Sequence, residues 1–76
     1  MNVLTPSVLK EQIDSGNPIM AEWGEGTEHA VTVTGYINTP NGVLVIYLNP
    51  DTGEEEAISI EKFNHNPKYS TTAVYY

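Results

Sequence analysis

The stretch GTEHAVTVTGY, residues 26–36, decides how the chain folds. From His29 onward, apolar and polar residues alternate. His29, Val31, Val33 and Ile37 share one parity, and Thr32, Thr34 and Tyr36 share the other. A period of two marks a strand with one face turned to a core. Gly35 falls on the apolar parity and removes a side chain from it, where another backbone can approach. His29 opens the strand on its apolar parity, near the rim of the sheet interior. It is either a hydrogen-bonded rim histidine or an imidazole that can reach a substrate.

Working outward, residues 38–42 contain Asn41-Gly42, a strong local hairpin signal. The strand after it, Val43 to Leu48, is apolar on both parities, as expected of an interior strand. It ends in NPDTG, residues 49–53, a turn by composition. Glu54 to Ile60 returns as a strand, and its three glutamates keep its start in water and discourage pairing with other chains. On the N-terminal side, NPIMAEW predicts a strand from Pro18 to Trp23, and Gly24 and Gly26 make the next loop bendable.

Before that strand, Thr5 can cap a helix running from Pro6 to Ser15, with proline at its first position. Leu4 and Leu9 have the spacing of a hydrophobic staple, and Gly16 can close the helix in a left-handed conformation. A short helix from Ser59 to Asn64 and a last strand from Thr71 to Tyr76 complete the reading. The expected fold is α+β, one domain over residues 1–76. A short N-terminal helix packs on a strongly curved, barrel-like antiparallel sheet of four to five strands.

The sequence has 76 residues and no cysteine, so neither a disulfide nor a thiolate zinc site can stabilise it. A core this small leaves little margin, and a partner chain or a self-dimer would supply further burial. Ten acids against three lysines give a net charge of −7. Phosphate backbones and anionic membrane surfaces would be repelled, which argues against nucleic acid and favours a basic partner. No apolar run reaches the length of a membrane span, and MNVLTPSVLKEQ lacks the pattern of a signal peptide. The acid clusters at Glu22, Glu25 and Glu28 and at Glu54 to Glu56 read as solvated surface.

Two residues attract attention as chemistry. The predicted hairpin returns Asn49 to the end of the sheet where His29 starts. A carboxamide there can accept the proton of one imidazole nitrogen, fix the tautomer and leave the other nitrogen to act as base. Asn49 can equally serve as an Asx-turn residue before Pro50, and the two roles can coexist. A base needs a nucleophile, and none is marked. Ser7, Ser15, Ser59 and Ser70 lie in no nucleophile pattern. His29 and His65 are the only histidines and have no ligand spacing, and DTGEEE lacks the calcium-loop pattern, so no cofactor or metal is expected. Asp51-Thr52-Gly53 shares its letters with an aspartic-protease triplet but fills a turn. Trp23 and the five tyrosines can line a core rim or a binding surface.

The runs GNPIMAEW, EHAVTVTGY and VLVIYLNPDTG together resemble the C-terminal half of papain-like cysteine peptidases, and most of all the bacterial branch of C39-like and staphopain-like enzymes. The resemblance spans residues 4 to 76. It implies half of a papain-like fold, with His29 as the catalytic histidine and Asn49 as the residue that orients it. The cysteine-bearing N-terminal half of that family has no counterpart in this sequence. The implied protein is therefore the histidine/asparagine half of a thiol peptidase, inactive alone. It would need a cysteine-bearing half, or else be a non-catalytic module that binds a peptide or protein.

Overall fold

The computed structural model describes residues 4–23, 29–65 and 72–75. Their elements in chain order are α1 (Pro6–Asp14), β1 (Ile19–Trp23), β2 (His29–Thr39), β3 (Gly42–Asn49), β4 (Glu54–Ser59), α2 (Ile60–Asn64) and β5 (Thr72–Tyr75). The five strands form one antiparallel sheet in the order β4-β3-β2-β1-β5.

α1 starts and stops where its local chemistry dictates. The Thr5 hydroxyl accepts a hydrogen bond from the Val8 amide, satisfying one of the donors a helix start leaves orphaned. Gly16 takes φ 76° just past the Ser15 cap, a conformation that costs glycine little. Leu4 and Leu9 are both buried. α2 is a single turn capped by Ser59, whose hydroxyl accepts from the Lys62 amide.

One face of the sheet carries the core. Ile19, Ala21, Val31, Val33, Val45, Tyr47 and Val74 project from the strands against Leu9 of α1 and Ile60 and Phe63 of α2. The Phe63 ring meets Tyr47 edge-on at 6.0 Å and 60°, the geometry the ring quadrupoles favour. Asn64 ties the start of the described chain to α2. Its Oδ1 accepts from the Leu4 amide at 2.7 Å, and its Nδ2 donates to the Leu4 carbonyl at 2.8 Å.

The sheet is open, which corrects the expected strong curvature and barrel-like form. β4 and β5 are its two edges and do not pair with each other. A small sheet rolls up when its own inner face is all it has to bury. Here α1 and α2 supply a second layer, so the apolar face is covered without closure. As a description of architecture, the papain-like, C39-like cysteine-peptidase label does not fit this open sheet in a chain without cysteine.

A second correction concerns the faces of β2. Val33 pairs with Tyr47 and Gly35 with Ile46, so Thr34 is an extra residue in a bulge. The insertion inverts the parity beyond it. Tyr36 pairs with the fully buried Val45 and packs against the core, whereas Ile37 is 44% exposed on the opposite face. Gly35 ends on that opposite face too. A Cβ built there would meet the Ile46 side chain at 3.6 Å, an ordinary contact, and no backbone approaches it within 4 Å. The β2–β3 hairpin turns where Asn41-Gly42 signals it. Pro40 and Asn41 are its central residues, neither has positive φ, and Gly42 follows at φ 130° as the first residue of β3. The Thr39 hydroxyl accepts from the Asn41 amide and donates to the Gly42 carbonyl.

The displaced Tyr36 acquires a partner. Its hydroxyl donates to both carboxylate oxygens of Asp14 at the end of α1, at 2.9 and 3.2 Å. That hydrogen bond first, then partial loss of hydration and then the Asp14 charge hold the phenol above its ordinary pKa of 10.0. A pKa raised by folding gives stability that is fully present below pH 10.0 and is lost as pH rises through the folded value. Tyr36→Phe is therefore expected to flatten the loss of stability above about pH 10 in urea titrations. Identical alkaline limbs for the two proteins would remove Tyr36 as its cause.

Candidate functional site

The antiparallel ladder determines where the two predicted site residues stand. β2 begins at His29, which pairs with Trp23 of β1. β3 ends at Asn49, which pairs with Glu54 of β4. The β2–β3 ladder runs to Thr32 opposite Leu48. One further step places Asn49 across from Val31, and His29 two residues beyond on the same strand. Both positions thus belong to one end of the sheet and to the register rows of the core face. The His29 backbone is described; its side chain, the Trp23 side chain and residues 24–28 lie outside the described part of the structure.

The Asn49 amide is engaged within its own turn. Its Oδ1 accepts from the Asp51 amide at 2.9 Å, the Asx-turn bond, and its backbone carbonyl accepts from the Gly53 amide at 2.8 Å. Its Nδ2 donates to Glu56 Oε2 at 3.2 Å. Glu56 Oε1 accepts from the Tyr47 hydroxyl at 2.8 Å. Glu56 therefore links Asn49 to the residue that packs on Phe63, and through it to the core. Sequence reading treated Glu56 only as a wet charge. The pairing Tyr47↔Glu56 was the missing signal, since it puts the carboxylate on the core-face side of β4.

Among the described residues, no group of three His, Cys, Asp or Glu side chains converges as a metal site. His65 is exposed at the C-terminal cap of α2. An open depression of about 300 Å³ lies where α1 ends, lined by Ile13, Gly16, Asn17, Pro18, Val33 and Thr34. None of these side chains titrates near neutrality, so the depression holds no acid–base apparatus.

The remaining surface feature is apolar. Met20 (50% exposed), Ile37 (44%) and Leu48 (40%) are the exposed large hydrophobic residues among those described. The register puts all three on the sheet face turned away from both helices. Sequence reading missed this face because the Thr34 bulge, invisible without the partner strand, moves Ile37 onto it. None of the described helices is long and apolar enough to cross a membrane. Comparison with protein-family models, with curated proteins and with solved structures finds no match to this chain.

Proposed function

We propose that this chain is a non-catalytic module that binds a protein or peptide and hydrolyses nothing by itself. The supporting observation is the open sheet, with one face covered by helices and the other displaying Met20, Ile37 and Leu48. Large apolar residues left exposed on one uncovered face are the kind of surface that marks interaction sites. The sequence adds the chemical half of the reading, since no cysteine is available as a nucleophile.

A second reading keeps His29 and Asn49 as a base and its orienting amide, one half of a thiol peptidase site whose cysteine comes from another chain. Its support is the register that assigns both residues to the same end of the sheet. One assay separates the two. The chain alone is expected to leave fluorogenic peptide substrates intact, and turnover lost in His29→Ala would overturn the non-catalytic reading. Addition of a cysteine-bearing half of a thiol peptidase is expected to add no His29-dependent turnover under the first reading, and to create it under the second.

A further inference from the structure

We infer that the outer face of the sheet docks a cationic amphipathic helix from another chain, lying along β3. This rests on the binding reading and names the partner's chemistry. Leu44, Ile46 and Leu48 alternate with the core residues Val45 and Tyr47, so they form one ridge on the outer face. Leu48 stands in a row with Thr32 and Met20, and Leu44 pairs with Ile37. The ridge spans about 14 Å at roughly 3.4 Å per strand residue. A helix of between two and three turns matches that length at about 5.4 Å per turn.

Shape favours a helix over a second flat sheet. Ile46 is flanked by the smallest side chains available, Gly35 on β2 and Ala57 on β4. Ile46 itself leans over Gly35, its side chain 3.6 Å from where a Cβ would stand, so the ridge is broad toward β2 and falls away over the exposed Ala57 on β4. A helix can lie along that step and drop its own side chains over Ala57. The other face of this sheet is already covered by helices.

Charge selects the sign of the partner. Among the described residues, Glu22 and Glu55 are the charged groups that the register assigns to the outer face. The Glu55 carboxylate is held there by the Thr34 hydroxyl, which donates to Oε2 at 2.6 Å. Lys10 and Lys62 belong to α1 and α2, on the far side of the sheet. A second copy of the chain would bring a further net charge of −7 against this face, a like-charge approach that opposes association.

The test titrates isotope-labelled protein with three synthetic peptides. One is a lysine-rich amphipathic helix of three turns. One has the same apolar stripe with glutamate in place of lysine. One is an extended, proline-containing lysine peptide that cannot form a helix. The first is expected to give saturable amide shifts at Thr32, Gly35, Ile46 and Leu48, with the acidic version about tenfold weaker or worse. Leu48→Lys is expected to weaken it about tenfold. Glu55→Lys should lower the preference for the basic peptide, and thermal melts check that both variants fold. Equal binding of the acidic and basic helices overturns the proposed partner charge. Shifts confined to β4 with the extended peptide, or self-association mapped to this face, overturn the helix proposal and leave the binding reading standing. If no peptide gives saturable shifts and the chain does not self-associate, both fail.

Discussion

Replacing Phe63 with alanine is expected to destabilise the domain by about 3–5 kcal/mol. Phe63 is fully buried and sits between the single turn of α2 and the sheet, with Tyr47 against its edge. α2 has five residues and negligible stability as an isolated helix, so its position depends on this anchor. The whole domain should have only about 4–11 kcal/mol of stability at roughly 0.05–0.15 kcal/mol per residue. The loss is therefore a large part of the total, and at the low end of that range much of the variant would be unfolded at ambient temperature. Urea denaturation followed by circular dichroism measures it. A loss below about 1 kcal/mol would mean that the core closes around the vacancy, contrary to its close packing here.

Asn64→Ala is expected to cost about 1–3 kcal/mol, because it strands two half-buried backbone groups at once. The Leu4 amide and carbonyl both bond to this one side chain, across 60 residues of sequence. Asn64→Asp is a sharper probe. It keeps an acceptor for the Leu4 amide but turns a carboxylate oxygen toward the Leu4 carbonyl, so it should not restore stability at neutral pH. Hydrogen exchange reports the link directly. The Leu4 amide should lose protection in both variants more than the β2 and β3 amides do. Uniform loss across the sheet would show that Asn64 acts only on global stability and does not hold Leu4 in place.

These two residues also show how far the sequence could be read. The Thr5 cap, Pro6, the left-handed Gly16 and the Asn49 turn were legible because each is a contract between neighbours within a few residues. The strands were legible from the alternation of β2 and the continuous apolar run of β3, and the β2–β3 hairpin from the turn residues between them. The Asn64 clamp was not legible, since its partner is a backbone group with no chemical signature. Neither was the link from Asn49 through Glu56 to Tyr47, which exists only once β3 and β4 are in register.

By itself, then, the amino-acid order determined the caps, turns and strand runs, the lack of a thiol nucleophile and the excess of negative charge. Only the tertiary structure decided that the sheet stays open, that β5 pairs with β1, and that Tyr36 and Ile37 exchange the faces that strict alternation assigns them. The reason is the range of the interactions. Caps and turns are set by adjacent dihedrals and short hydrogen bonds. A bulge, by contrast, is a mismatch between two strands and has no meaning in one of them. The outer face with Ile37 and Leu48 follows from that mismatch, and the binding proposed for it inherits the same origin.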